Sequence, residues 1–290
     1  MTDRWDKIRD DLMLLEDPWS YYAGCTPEAN HELMLRAYIK KYGIAGEQLD
    51  VFNRALAEFS VRNHHNAMKN KYAQFHKEIS VDAVIKARAR ARRPLGLFDF
   101  APISDGASAL ILTNSELAES YTDNPVYILG YSLATDYITF PSRNDLTGFV
   151  ATRLAMDGAL KAADVRVEDV SLLELYDQST MMGVVSLEDL GFCERGKAWL
   201  DIYKSCQENG NCYELNGRSL FVNVNGGLKA DGNPLGATGG AEIFEVFQQL
   251  RREASDSQVK VDDELKYGCV HELEGFGTKA YVYILGKECP

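Results

Sequence analysis

The sequence predicts a mixed α/β fold on three observations. Short apolar runs alternate with amphipathic helical patterns from Val126 onward, a glycine-rich loop carries one such run into a helix, and the apolar content suffices for a packed core. The chain has 290 residues, 46% of them hydrophobic and 10% aromatic, enough for one large or two medium domains. Its formal net charge of −12 argues against unspecific nucleic-acid binding, which needs clustered Lys and Arg to neutralise phosphates.

The elements follow in order. Thr26, Pro27 and Glu28 open a helix whose face carries Leu33, Ala37, Tyr38 and Lys41, and Gly43 closes it. A second helix begins near Gly46, with Leu49, Phe52, Leu56, Phe59 and Ser60 on one face, and is expected to end in the polar stretch Arg62 to Asn66. Residues 80–91 read as a third helix, and 98–112 as a loop running into a buried strand. Residues 114–124 are polar and mark the expected boundary between a first unit, 1–122, and a second, 123–290.

Beyond that boundary the pattern predicts strands over 126–132, 170–176 and 219–224, helices over 148–163, 180–190 and 237–252, and terminal strands over 265–270 and 280–285. Residues 195–218 read as a polar, loop-like region.

Other features bound the function. No apolar run approaches the roughly 18 residues of a membrane span and the N-terminus lacks a signal-peptide core, so a cytoplasmic protein without membrane contact is expected. Cysteines 25, 193, 206, 212, 269 and 289 are dispersed, which fits reduced thiols better than a disulfide framework; the Cys206/Cys212 spacing is a poor zinc signature, and no metal site is assigned. The basic run Lys86 to Arg93 reads either as a solvated helix end or as a patch receiving an anionic group such as a phosphate.

Residues 223–239 carry the chemistry. Their glycines permit positive φ and close backbone approach, and a loop that opens a helix presents unpaired N–H groups to an oxyanion or phosphate. Neither the Gly-x-Gly-x-x-Gly spacing of a dinucleotide loop nor the Gly-Lys-Ser/Thr ending of a Walker loop is present.

This stretch, Asn223-Val-Asn-Gly-Gly-Leu-Lys-Ala-Asp-Gly-Asn-Pro-Leu-Gly-Ala-Thr-Gly239, resembles the loop of the thiolase superfamily, whose usual core is Gly-His-Pro-Leu/Ile-Gly-Ala. Pro102-Ile-Ser-Asp-Gly-Ala-Ser-Ala-Leu-Ile-Leu112 looks like the strand closing the N-terminal thiolase domain. Leu173-Glu-Leu-Tyr-Asp-Gln-Ser179 together with residues 187–196 looks like the family's His-Asp-Ala-Phe and Glu-x-Leu-Gly segment. The order of segments agrees from about residue 26 to the end, and the closest flavour is that of the sterol-carrier-protein-type thiolases and their archaeal and bacterial relatives.

The resemblance implies a thiolase-like αβαβα layered sandwich with an incomplete N-terminal domain, and a CoA thioester as substrate with no bound cofactor. It implies acyltransferase-type chemistry at the C–C bond beside the thioester. A partner chain is expected to supply the missing N-terminal part, because the segment carrying the family's nucleophilic cysteine has no counterpart here. Cys25 falls well downstream of that position, and a structural role suits it better. Homo- or hetero-oligomers are expected, and a zinc-ribbon/OB-fold accessory protein accompanies several relatives.

Three substitutions shape the implied site. Asn233 replaces the loop histidine; an amide can donate a hydrogen bond but cannot act as a base near neutral pH, and it can equally serve as a turn residue. Tyr176-Asp177 stands at the His-Asp position, as in the steroid side-chain-cleaving aldolases of the superfamily, where tyrosines run a retro-aldol reaction; their second tyrosine, expected in the glycine loop, is missing. In the last motif, Cys269 to Gly277, His271 matches the family position and is expected opposite Asn233 as the base, with Glu272 and Glu274 raising its pKa. The candidate catalytic residues are therefore Tyr176, Asn233 and His271, and the candidate substrate or oxyanion-binding residues Asp177, Gly226, Gly227, Gly232, Gly236 and Gly277. The alternatives are a retro-aldol lyase acting on a β-hydroxyacyl-CoA through Tyr176, and a non-catalytic thiolase-like subunit.

Overall fold

A computed structural model describes residues 17–207, 212–260 and 265–288, which leaves Cys289 outside the described residues. The N-terminal part is helical: α1 (Pro27–Tyr42), α2 (Glu47–Ala67) and α3 (Val81–Ala91). Pro27 sits in the first turn of α1, where its missing N–H costs nothing, and Gly43 at φ 64° ends it. Ser80 caps α3 by accepting the Ala83 N–H at 3.2 Å.

The second part forms strands β1 (Tyr127–Thr135), β2 (Val170–Leu175), β3 (Tyr213–Leu215), β4 (Arg218–Val222), β5 (Tyr267–Glu274) and β6 (Lys279–Gly286). They make one six-stranded sheet in the order β1-β6-β5-β2-β4-β3. At its centre β2 pairs in parallel with both β4 and β5, and antiparallel pairs close the edges. Helices α4 (Val150–Ala163), α5 (Thr180–Asp189), α6 (Ala198–Gln207) and α7 (Thr238–Arg251) complete the fold.

Strand alternation divides the core between the two faces of the sheet. Leu173, Leu175, Cys269 and Val282 join Ala155 and Met156 of α4 and the buried faces of α1, α2 and α5 in one cluster. Leu172, Val270 and Leu285 point the other way, against Val246 and Leu250 of α7. The arrangement is helix layer, sheet, helix layer, matching the expected α/β class.

Four expectations need correction. Residues 98–112 do not become a buried strand: Phe100 and Ile103 make single bridges to Ser179 and Asn233, while 106–113 join no ladder and Ile111 is 100% exposed. The run has β-forming residues, but among the described residues no strand lies beside it to complete its hydrogen bonds. Helix α2 runs through the polar stretch where its end was expected and closes one residue later, at Ala67; Asn63 and His64 are buried there, the Asn63 amide donating to Asp177 of the second part and the His64 ring bonding the Lys77 carbonyl. The polar boundary 114–124 holds a short helix, Ser115–Tyr121, capped by Asn114. The region read as loop over 195–218 contains α6 and β3, short elements whose buried positions, such as Trp199 and Ile202, are diluted by polar neighbours.

Candidate functional site

The glycine loop leaves β4 through Asn223, whose side-chain amide clamps the end of β2: it accepts the Leu175 N–H at 2.7 Å and donates to the Leu175 carbonyl at 3.2 Å. Gly226 follows at φ 114°, and a Cβ there would lie 2.7 Å from the Ala67 Cβ of α2. A Cβ on Gly227, at φ 58°, would run into the side chains of Asn223 and Asn63. These glycines are needed for close packing of loop on helix, not for contact with a cavity.

Asp177 is likewise built into the frame. It is fully buried, accepts the Leu228 N–H at 2.8 Å at the start of the short helix Gly227–Ala230, and takes a hydrogen bond from Asn63. Burial pushes its carboxyl up to about 7, an effect opposed by the positive charge of Lys229. Gly232, at φ 123°, lies against Ser104, and Gly277, at φ 69°, against the ring of Phe149. Asp177, Gly226, Gly227, Gly232 and Gly277 are thus absent from the cavity wall described next, and of the expected binding residues only Gly236 lines it.

A cavity of about 450 Å³ opens where the loop meets α7, β5 and β6. Its wall is mostly apolar, with Pro27, Leu235, Ile243, Tyr281 and Tyr283, and it includes Gly236, Gly239 and Gly240 around the first turn of α7. No side chain caps α7, so its leading N–H groups are not taken up by a capping residue. The polar groups in the wall are Tyr176, Gln178, Glu272 and Glu274. Such a chamber suits an acyl group with one or two polar atoms to be oriented.

Asn233 serves as a turn residue. Its Oδ1 accepts the Leu235 N–H at 3.2 Å and the Thr238 hydroxyl at 3.3 Å, which allows Leu235 to hold φ 52°. With its oxygen engaged, Asn233 has its amide nitrogen left to donate, and its nearness to Tyr176 eases ionisation of the phenol against the larger effect of burial. Burial raises the Tyr176 pKa above its ordinary value, Glu272 adding to the effect, so the phenol stays neutral and remains a donor.

His271 is not where the sequence suggests. It is fully buried on the opposite face of β5, with Nε2 3.0 Å from the Thr152 hydroxyl of α4, and burial lowers its pKa to about 3 instead of raising it. The reason is strand geometry: one residue along β5 reverses the face, so Glu272 enters the cavity wall and His271 does not. Sequence reasoning missed Glu272 as a site residue. The signal was present in the alternation of β5, where Val270 and Glu272 share a side while Cys269 and His271 share the other.

The remaining candidates lie elsewhere. Cys25, Cys193, Cys206, Cys212 and Cys269 are free thiols and none lines the cavity. Among the described residues no group of three His, Cys, Asp or Glu side chains could hold a metal ion. In the basic run, Arg88 is buried against Asp99, whereas Arg92 and Arg93 are exposed and border a groove shared with Arg54 of α2. No described helix is long and apolar enough to cross a membrane.

The buried carboxyls set a pH response. Burial holds Glu174 and Glu242 well above the usual carboxylate range and Glu272 at about 8, so between about pH 4.5 and 8 the folded state keeps protons that the unfolded state releases. Their contribution to stability is therefore full at low pH and falls as pH rises to 8. Buried His31 and His271, both lowered to about 3, act oppositely below pH 6.5, where only the unfolded chain gains their protons. Melting temperature measured by calorimetry should rise from pH 8 to pH 6.5, where the carboxyls act alone, and rise less steeply below pH 6.5, where the two histidines oppose them. A higher melting temperature at pH 8 than at 6.5 would contradict this balance.

A sheet with a parallel centre, a glycine loop opening an uncapped helix, and a cavity at their junction together define a thiolase-like α/β protein. The chain belongs to the thiolase superfamily: the family model described as thiolase C-terminal domain-like matches residues 132–287. It is similar to the acetyl-CoA acetyltransferase of Methanothermobacter thermautotrophicus, 36% identical over 99% of this chain and 70% of that protein. It is also similar to rabbit (Oryctolagus cuniculus) sterol carrier protein 2, 32% identical over 85% of this chain and 43% of that one. Among solved structures, the Ltp2-ChsH2(DUF35) aldolase shares the fold with a TM-score of 0.73 at 23% identity, covering 93% of this chain and 66% of that one. A monomeric SCP2-thiolase-like protein of Mycobacterium smegmatis gives a TM-score of 0.59 at 20% identity, over 89% and 51% of the two chains.

Proposed function

We propose that this chain processes acyl-CoA at the carbon–carbon bond beside the thioester, with the cavity stabilising the enolate that such bond making or breaking creates. The observation that carries the reading is the cavity itself: a mostly apolar chamber whose wall holds the Tyr176 phenol together with the first turn of α7. The names of the archaeal relatives support the acyltransferase form of this reaction, as does their match over nearly the whole chain. That form needs a thiol nucleophile, which no described cysteine brings to the cavity, so a companion polypeptide segment would carry it.

A second reading, retro-aldol cleavage of a β-hydroxyacyl-CoA, is favoured by one specific observation: the phenol at the cavity wall has a carboxyl beside it, which together need no thiol. The name of the Ltp2-ChsH2(DUF35) aldolase joins two components, which supports a partner chain under either reading. The test is turnover of acetoacetyl-CoA and of a β-hydroxyacyl-CoA by the protein purified from its own source, before and after thiol alkylation. Alkylation-sensitive acyl transfer identifies the first form and alkylation-resistant cleavage the second. A preparation that neither binds nor converts either thioester would overturn both and leave a non-catalytic subunit.

A further inference from the structure

Two carboxyl side chains lie close together at the cavity, Glu272 in its wall and Glu242 buried outside it. Glu272 comes from β5, and Glu242 reaches it from the second turn of α7, the helix packed on that face of the sheet. Gly239, one turn before Glu242, makes the room: a Cβ there would lie 3.0 Å from the Glu272 Cγ and 3.3 Å from its Oε1. Glu242 is 2% exposed. The two carboxyls lie close enough to shift each other's protonation, and any hydrogen bond between them needs a shared proton, since two carboxylates offer only acceptors.

The surroundings contain no cation to explain the pair. Glu174 faces it from β2, Tyr176 and Asp177 from the turn after β2, and Tyr281 and Tyr283 from β6, while Glu245 lies one turn further along α7. Neither Glu242 nor Glu272 forms an ion pair among the described residues, and Glu242 Oε2 and Glu272 Oε1 are buried without a partner. A carboxyl pair retained only for packing would have its remaining oxygens satisfied, because buried unpaired acceptors cost roughly 1–3 kcal/mol each. Here the unsatisfied oxygen of Glu272 belongs to a residue of the cavity wall, beside Tyr176.

We propose that Glu272 is the catalytic base of this cavity and that Glu242 is the positioning residue that holds it through a shared proton. For its substrate the assignment rests on the acyl-CoA reading above; for the base it rests on the unpartnered Glu272 oxygen in the cavity wall and on α7 packed against it at Gly239. In the elementary step, the Glu272 carboxylate removes a proton from the carbon next to the thioester. The C–H electron pair moves into the thioester to form the enolate, whose oxygen takes the Tyr176 hydrogen bond, and the protonated Glu272 returns the proton to that carbon. One proton leaves and one returns, so no co-reactant is required. In a retro-aldol reaction the same carboxylate first takes the β-hydroxyl proton as the C–C bond breaks, and then protonates the enolate.

The experiment uses the full protein with acetyl-CoA in deuterium oxide and follows deuterium entry next to the thioester by NMR across pH. Glu272→Gln should slow exchange about 100-fold or more. Glu242→Ala removes the donor that favours the Glu272 carboxylate and should move the exchange profile to higher pH, while Glu242→Gln, which keeps a donor, should restore the wild-type midpoint. A wild-type rate in Glu272→Gln, or the same midpoint in Glu242→Ala as in wild type, overturns the assignment. Infrared difference spectra of the substrate-free protein give the second readout: a protonated-carboxyl band lost in both Glu242→Gln and Glu272→Gln, against the constant bands of Glu174 and other buried carboxyls, supports the shared proton, and carboxyl bands that neither substitution changes refute it. If the band is present but no thioester exchanges, the acyl-CoA reading and the base role fall while the paired carboxyls stand.

Discussion

Replacing Tyr176 with phenylalanine will lower turnover of the accepted thioester about 10²–10⁴-fold, the usual worth of a positioned proton-transfer group. The change removes one oxygen and leaves the ring, so packing is kept. The backbone is also unaffected, since the Tyr176 N–H that bonds the His271 carbonyl at 2.9 Å remains. What disappears is the neutral phenol in the cavity wall, kept protonated by burial. Because that donor is needed most when charge develops on the substrate oxygen, the loss should fall on kcat with little change in KM. Steady-state kinetics on purified wild type and Tyr176→Phe, with circular dichroism confirming an equal fold, make the comparison. A kcat within threefold of wild type would remove Tyr176 from the mechanism.

Asp99→Ala will destabilise the protein by about 3–5 kcal/mol, the cost of leaving one member of a buried ion pair uncompensated. Asp99 is fully buried and accepts both a forked pair of hydrogen bonds from Arg88, at 2.8 and 2.6 Å, and the Thr180 hydroxyl at 2.9 Å. Its backbone carbonyl accepts Lys229 at 2.5 Å, from the short helix inside the glycine loop. Four segments therefore meet at one residue: α3, the turn after it, the start of α5, and the loop that shapes the cavity. Chemical denaturation should show the loss in midpoint, and substrate binding should weaken along with it because the loop loses its anchor. Asp99→Asn keeps the shape and some acceptor capacity and should lie between the two. A midpoint for Asp99→Ala within about 1 kcal/mol of wild type would show that Arg88 finds solvent or another partner.

The elements legible in the sequence were those whose own residues bury them. The alternation of Leu172 and Leu173 in β2, or the spacing of Phe52, Leu56 and Phe59 in α2, requires a fixed face and so announces strand or helix. Residues 106–113 have the same apolar character, yet no described strand lies beside them; composition reports what a segment can do, and pairing depends on a neighbour. At the cavity, Gly236 stands in the glycine-loop motif and Tyr176 in the segment that ends β2, so both could be picked out before the fold was known. The Glu242–Glu272 contact could not, since the two residues are thirty apart and meet only when α7 lies across β5. His271 drew attention as a lone titratable side chain in the right motif, but residue type does not determine which face of a strand it occupies.

The run from Ala107 to Thr113 has a further consequence for how this protein is made and kept. It is uncharged, rich in strand-forming residues, free of proline, and ends in side chains open to solvent, with Leu112 73% exposed. Seven such residues are long enough to nucleate a cross-β stack between molecules. Soluble yield on expression should therefore rise when a charged residue interrupts this run, with little change in the melting temperature of the chain itself.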